Sequence, residues 1–227
     1  MIIGISGKAR SGKDTFSNML TEELNKVSYP PYIMMAFAHE LKTRCQTAFD
    51  LSYEQLWGDD KEVADKRYIK TRKDPRPEIQ QHKEVGTIPG SPVDVYWTAR
   101  EIMQNYGAFY RTVDNEFWIK NLFRVAEDKE YNNVIITDVR YRNEAEYIQH
   151  KKGGYVVRVD RENKDDVHNM QHPSEVELDN YGGFDFVVNN EGTLEDLSKT
   201  AKDVCQFLKT SENDLKKLGI IKEIEHG

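Results

Sequence analysis

Cysteine is nearly absent from this chain. Only Cys45 and Cys205 occur in 227 residues, far apart and outside any metal-ligand spacing. A disulfide framework and a thiolate zinc site are thereby excluded, and two reduced thiols on helices of a cytoplasmic protein are expected. Long apolar runs are missing, so no membrane association is expected. No secretory leader is expected either, because the first apolar strand passes directly into a glycine-spaced loop. There is no excess of basic residues: the formal net charge is -7. That disfavours a nucleic-acid polymer as main ligand but leaves room for a local cationic pocket. His168 and His172 share a segment, but no cysteine or third histidine joins them, so they read as surface residues. No internal repeat is visible.

The chain is rich in signal at its start. Ile2, Ile3 and Ile5 read as a buried strand, and Phe16, Met19, Leu20, Leu24 and Val27 fall on one face of a helix. Between them runs Gly7-Lys8-Ala9-Arg10-Ser11-Gly12-Lys13-Asp14-Thr15, with the Gly-x-x-x-x-Gly-Lys spacing of a phosphate-binding loop. Glycines let backbone N–H groups turn onto phosphate oxygens, the helix N-terminus adds positive potential, and the lysine reaches the outer phosphates. Gly7 and Ala9 to Thr15 are thus candidate contacts for a nucleotide's phosphates. Asp14 stands where the usual motif has Ser or Thr. A carboxylate there can hold magnesium directly or through water, with Thr15 as an alternative ligand.

Strands and helices alternate along the rest. Tyr32 to Ala38 reads as a strand, and His39 to Asp50 as a helix with Leu41, Cys45, Ala48 and Phe49 inward. Residues 58–95 are dense in charge and then in proline. They read either as a solvated, partly disordered loop (70–93) or as a mobile substrate-binding insertion. Tyr96 to Tyr106 reads as a helix ended by Gly107, and Glu116 to Asp128 as another, with Phe117, Leu122, Phe123 and Val125 apolar. Val134 to Thr137 is a buried strand ending at Asp138; Ala145 and Ile148 belong to a following helix. Gly153-Gly154 turns into the strand Tyr155 to Val159. Residues 160–183 are polar without periodicity. Phe184 to Val188 is the last strand, and Leu194, Leu197, Ala201, Val204 and Leu208 mark a closing helix. This pattern predicts an α/β fold, a parallel sheet with helices on both faces in three layers. Ligands of such sheets sit beyond the carboxyl ends of the strands. The phosphate loop, Asp138, Asp160-Arg161 and Asn189-Asn190 all fall at expected strand ends.

Asp138 at a strand end can reach magnesium or its waters, or it can cap a helix. Arg140 and Arg142 follow it, and arginine forks suit phosphate; Arg140 lies nearer the strand end. Arg100 and Gln104 share a helix face, with Arg111 beyond Gly107; they could read a phosphate and a base edge, or be an exposed face. Arg158 and Arg161 bracket the start of 160–183, a polar stretch suited to a closing lid. Asn189-Asn190-Glu191-Gly192 could offer backbone to an adenine edge, or be a turn.

Taken in order, these pieces resemble the deoxynucleoside monophosphate kinases of tailed bacteriophages. The similar elements are Ser11 to Thr15, Phe37-Ala38 with Leu41-Lys42, Arg100 to Gly107, and Asp114 with Trp118. Thr137-Asp138-x-Arg140 with Asn143-Glu144, His172-x-Ser174-Glu175, and Val187 to Leu197 complete the series. The aspartate after Lys13 is shared with that family. The resemblance implies a P-loop kinase domain over 1–210, with an acceptor-binding helical insertion at 39–130, a lid at 160–183 and a charged tail at 211–227. It implies ATP with Mg2+ as donor and a deoxynucleoside monophosphate as acceptor. Lys42, Arg100, Gln104, Arg111 and Trp118 would face the acceptor. Lys13, Asp138, Arg140 and Arg161 would be catalytic, Asn190 and Gly192 would lie at the donor, and Asp14 and Asp138 at the metal. Such kinases are typically homodimers, and a phage origin would put the chain in host cytoplasm. Alternatives are another P-loop small-molecule kinase similar to the phosphomevalonate kinases, or a P-loop ATPase or nucleotide sensor.

Overall fold

In this computed structural model, residues 1–73, 93–161 and 173–217 are described. The chain divides into two compact units, Met1–Ala38 with Glu116–Gly227, and His39–Asn115.

The first unit contains β1 (Ile2–Ser6), α1 (Lys13–Asn25), β2 (Ile33–Met35) and the first residues of α2 (Phe37–Phe49). After the second unit the chain returns as α5 (Phe117–Asp128), β5 (Val134–Val139), α6 (Arg142–Glu146) with a π-helical continuation (Tyr147–Lys151), and β6 (Tyr155–Asp160). It ends with α7 (Pro173–Val176), β7 (Phe186–Asn189) and α8 (Leu194–Lys217). The five strands form one sheet in the order β2-β5-β1-β6-β7, and every pairing is parallel. The sheet is covered on both faces because successive strand side chains point oppositely. Ile3, Ile5, Ile135, Val157 and Val159 meet Phe16, Leu20 and Leu24 of α1 and Leu197, Ala201, Val204 and Leu208 of α8. On the other face, Val134, Ile136 and Val156 meet Ile119, Leu122, Phe123 and Ala126 of α5 with Ala145 and Ile148. The expected parallel α/β sandwich is therefore the observed one.

The second unit holds the rest of α2, then α3 (Tyr53–Leu56), a 3-10 turn at Asp60–Glu62, β3 (Ala64–Lys73), β4 (Val93–Thr98) and α4 (Ala99–Val113). Its core is Cys45, Leu51, Leu56, Ala99, Ile102 and Met103. Phe49 sits edge-on to both Tyr68 and Tyr106, each at 5.8 Å. Burial pushes the Cys45 thiol up to about 12, so it is an inert core group. Arg67 holds the buried Asp65 carboxyl well below the usual carboxylate range, helped by Gln55.

Several sequence expectations are corrected. The strand expected over Tyr32 to Ala38 is only three residues long, and Phe37 already opens α2. Ala48 is exposed. Part of 58–95 is not loop: β3 and β4 pair antiparallel. Tyr96 and Trp97 belong to β4, where Val93, Val95, Tyr96 and Trp97 supply β-branched and aromatic strand formers. The helix begins after them because Thr98 and Glu101 close a capping box. Gly107 does not end that helix, which runs on to Val113. An interior glycine costs a helix about 1 kcal/mol, but a Cβ here would stand 3.3 Å from Leu41 Cδ2, so the glycine lets α2 and α4 approach. Residues 74–92 and 162–172, which include parts of the expected insertion and lid with His168 and His172, lie outside the described residues. α5, read above within 39–130, belongs to the first unit, and α8 runs on past residue 210 to Lys217.

Two residues of the expected apolar stripes lie outside the core. Val27 lies beyond the end of α1 and is 63% exposed, and Leu194 at the start of α8 is 64% exposed. Leu24→Ala is expected to cost about 2–5 kcal/mol in denaturant unfolding. Val27→Ala should stay within about 0.5 kcal/mol.

Candidate active site

The loop between β1 and α1 is a cradle whose shape only small residues permit. Gly12 is the residue before α1 and adopts φ 87°, left-handed backbone that favours glycine. A Cβ there would collide with Asn190 Nδ2. At Gly7 a Cβ would stand 2.5 Å from Ser11 Oγ and 2.7 Å from Val159 O. Arg10 also takes positive φ, at 60°. The loop is braced from behind: Asn190, just after β7, donates from Nδ2 to Ser11 O at 2.9 Å, and its backbone N–H reaches Asp160 O at 2.8 Å. Asn190 is 8% exposed, so this brace is internal.

Two features suit the cradle to an anion. Gly12, the residue before α1, has no side chain to cap it, whereas α4 is capped by Thr98 and α8 by Thr193 with Asp196. Uncapped N–H groups at a helix start are donors for phosphate. Ser11 Oγ is buried and makes no hydrogen bond, and a buried hydroxyl without a partner is costly. Lys13 is mostly buried at its side chain and sits 3.8 Å from the exposed carboxylate of Asp14. Thr15 is exposed.

Neighbouring strand ends add charge. Arg158, on β6, is nearly buried; its Nε binds Asp160 Oδ1 at 2.6 Å, and Nη2 reaches Asp179 Oδ1 at 3.3 Å. The second oxygen of Asp179 binds Lys8 Nζ of the loop at 2.8 Å. Beyond β6 and β7 lies an open cleft of about 630 Å³, lined by Lys8, Arg158, Asp160, Arg161, Asp179, Asn189 and Glu191. Arg140 follows β5, donates from Nη1 to Ser174 O at 3.2 Å, and lines a small cavity with Gly7 and Lys8. Glu144, 3% exposed, accepts from the backbone N–H groups of Arg140 and Tyr141. Asp138 accepts at both oxygens from the first backbone N–H groups of α2, Phe37 at 2.7 Å and Ala38 at 2.8 Å. Among the described residues no group of three His, Cys, Asp or Glu side chains could hold a metal ion by itself. Magnesium commonly needs fewer, taking one or two carboxylates with waters and substrate phosphates, and Asp14 suits that role.

In the second unit, Arg100, Gln104, Gly107 and Arg111 recur at helical spacing on the unbroken α4. Arg100 Nε is ion-paired with Glu62. Lys42 Nζ lies 5.7 Å from the Trp57 ring centre, and Tyr53 stacks on Trp57 at 5.3 Å. Trp118, in the first unit, is 3% exposed and packs edge-on to Phe117 at 4.9 Å. Gly192 lies in the turn before α8. The structure thus gathers Gly7 to Thr15, Asp138, Arg140, Arg161 and Asn190 around the strand ends of one sheet, with Lys42, Arg100, Gln104 and Arg111 in the other unit.

Three contributors escaped sequence reasoning: Lys8 and Asp179 as an ion pair, and Asn190 as a side-chain brace. Lys8 and Asn190 lie within motifs already singled out; Asp179 carries no local signal. The helix caps had one, since Ser52/Gln55, Thr98/Glu101 and Thr193/Asp196 each show the three-residue capping spacing.

A parallel sheet with this loop at the end of its central strand is the arrangement of a P-loop fold. The deoxynucleotide monophosphate kinase family matches the chain over residues 57–201, more than half its length. That match begins after the phosphate loop, so loop and family are separate observations. A protein of Acanthamoeba polyphaga mimivirus, titled "Putative deoxynucleotide monophosphate kinase", is 31% identical over 211 residues, covering 87% of this chain and 92% of that protein. The chain belongs to the deoxynucleotide monophosphate kinase family. Among solved structures, a dephospho-CoA kinase from Campylobacter jejuni aligns over 90% of this chain and 95% of its own, at 12% identity and a TM-score of 0.41. No helix among the described residues is long and apolar enough to cross a membrane.

Removing the brace behind the loop is the direct test of its structural weight. Asn190→Ala strands the buried Ser11 carbonyl and is expected to cost about 1–3 kcal/mol in chemical denaturation. Asn190→Asp should be no better, because it sets a carboxylate against a carbonyl.

Proposed function

We propose that this kinase transfers the γ-phosphoryl group of Mg-ATP to a deoxynucleoside 5'-monophosphate, giving the diphosphate and ADP for DNA precursor synthesis. The observation that carries this reading is the braced cradle at Gly7 to Lys13, with left-handed Gly12 before α1 and the unpartnered Ser11 hydroxyl inside it. The donor's phosphates lie against the loop amides, with Lys13 on the outer phosphates. Its nucleoside occupies the cleft lined by Arg161, Asn189 and Glu191. Asp14 would help to hold magnesium, which would supply neutralising charge for the donor phosphates.

The acceptor's phosphate is met by Lys42, Arg100 and Arg111, and Gln104 reads its base edge. Arg100 then exchanges Glu62 for phosphate. An acceptor phosphate oxygen attacks the γ-phosphorus, forming a new P–O bond as the bond to the bridging oxygen of ADP breaks. No protein nucleophile is needed. Arg140 and Arg161 stabilise charge on the transferring oxygens, the main work of a site for this reaction.

Release of ADP across dAMP, dGMP, dCMP, dTMP and their ribose counterparts tests the assignment. The expected result is release that depends on a deoxynucleoside monophosphate, with the deoxy forms preferred. Equal release without any acceptor overturns it in favour of hydrolysis. Lys13→Ala is expected to lower turnover by about 10²–10³-fold, and wild-type turnover in that variant would refute the cradle mechanism.

A further inference from the structure

We propose that Asp179 is a resident counter-ion of the phosphate loop. It holds Lys8 while the donor is absent and yields it when phosphate arrives, so it limits how tightly the donor is bound. The proposal rests on the reading of the loop as the donor-phosphate site, and all of its groups belong to the first unit.

Lys8 belongs to the cradle through its backbone. It follows Gly7, and its carbonyl accepts from the Ser11 N–H at 3.3 Å across the loop. Its side chain turns to the wall of the site, where Nζ meets Asp179 Oδ2 at 2.8 Å in the turn after α7. Two cavities open at this edge of the sheet. A small one is lined by Gly7, Arg140 and Ser174 among others, and an open one by Arg161, Asn189 and Glu191 among others. Lys8 and Arg158 are the residues that line both. The Lys8 ammonium thus stands between the loop and the cleft given above to the nucleoside, which is the path of a donor's phosphates.

Asp179 is held in place without Lys8. Its N–H donates to Val176 O at 3.0 Å, and Leu178 beside it is 3% exposed in the core under β5 and β6. Its Oδ1 accepts from Arg158 Nη2 at 3.3 Å. Arg158 is anchored in turn by Asp160 Oδ1 at 2.6 Å and Ser6 Oγ at 3.3 Å. The carboxylate therefore keeps its position and a cationic partner when Lys8 leaves. Lys8 is the part that can move, a compact charge on a flexible four-carbon stem. Both members of its pair are partly exposed, and such pairs are weak. A phosphate oxygen is an acceptor of the same kind as the carboxylate oxygen and carries more charge around it. The exchange therefore gives up a weak surface pair for a charge-assisted bond to the ligand. It follows that the two residues act on donor binding with opposite sign: Lys8 strengthens it, and Asp179 weakens it by competing for Lys8.

The test is calorimetric titration of the full chain with a non-hydrolysable ATP analogue, with ADP and with adenosine. Lys8→Ala is expected to raise the dissociation constants of the analogue and of ADP by about tenfold or more, the worth of a hydrogen bond to a charged group. Asp179→Asn keeps the shape and leaves Arg158 with Asp160 and Ser6. It is expected to lower the same two constants by about two- to fivefold, the worth of an exposed ion pair. A variant that merely loosens the fold does not bind its ligand more tightly, so the sign separates this role from a structural one. Adenosine, which has no phosphate, should bind both variants as it binds wild type. In a chain already carrying Lys8→Ala, Asp179→Asn should bring no tightening, because one residue acts through the other. Equal tightening in both backgrounds overturns the exchange and leaves Asp179 as a simple like charge. Unchanged or weaker binding in Asp179→Asn overturns it as well, as does unchanged binding in Lys8→Ala. If Asp179→Asn fails to fold, side-chain NMR of the wild-type chain decides: ADP, and not adenosine, must shift both the Lys8 Nζ and the Asp179 carboxyl resonances, and a shift at one alone or at neither overturns the proposal. Lys13→Ala separates the two levels of the reading. Undiminished binding of the analogue in that variant overturns the cradle as the phosphate site; diminished binding there with normal Lys8→Ala overturns only the exchange.

Discussion

The site depends on one internal hydrogen bond, from the Asn190 side chain to the Ser11 carbonyl. A phosphate loop must keep its amides pointing inward when no anion is present to hold them. Local sequence cannot do this alone, since the glycines that permit the shape also permit many others. Here the restraint comes from the far end of the chain. Asn190 is locked by its own backbone bond to Asp160 O, and its side chain blocks any Cβ at Gly12. The central strand, the β6 end and the β7 end are thus tied at the edge where a ligand would sit. The unpartnered Ser11 hydroxyl is left inside that tied frame.

Much of this was legible because the central strands have few alternatives. The run Ile2 to Ile5 and the run Val134 to Ile136 are apolar without alternation, as strands buried on both faces must be. The α1 and α8 stripes, Phe16-Leu20-Leu24 and Leu197-Ala201-Val204-Leu208, likewise admit one reading. The sheet, the loop and the strand-end position of Asp138, Arg140, Arg161 and Asn190 followed from those runs. Where the reading failed, tertiary packing overruled local signals. Gly107 looks like a helix end in sequence, but inside α4 it faces Leu41 and the Arg111 side chain, where a Cβ would be tight against both. The β3–β4 pair was hidden because Ala64 to Lys73 is highly charged, and its partner strand lies beyond proline-rich residues. Helix capping is one of the two sequence readings of Asp138, but that the helix is α2 was out of reach, since nothing in a sequence shows which helix a carboxylate will meet a hundred residues away.

The charges of the site follow one pattern despite the chain's net charge of -7. Three of the cations beside the phosphate loop have partners in their own unit: Lys8 pairs with Asp179, Lys13 lies near Asp14 and Arg140 meets the Ser174 carbonyl. A phosphate ligand must therefore displace existing partners, and the cost of displacement sorts the cations. Lys8 and Asp179 are 40% and 31% exposed at their side chains. Partly exposed pairs of this kind contribute at most about 1 kcal/mol, so a phosphate can replace Asp179 at little expense. Arg158 is different: its side chain is 8% exposed and is held by Asp160, Asp179 and Ser6 Oγ. Losing those partners would leave a nearly buried guanidinium charge uncompensated, which costs more than losing an exposed pair. Arg158 is thus a fixed strut of the β6 end, while Lys8 beside it is exchangeable. Asp179 bridges the two, so it can release Lys8 to an incoming anion and still have Arg158 as its partner. That shared carboxylate lets the loop change partners while the wall behind it keeps its charges balanced.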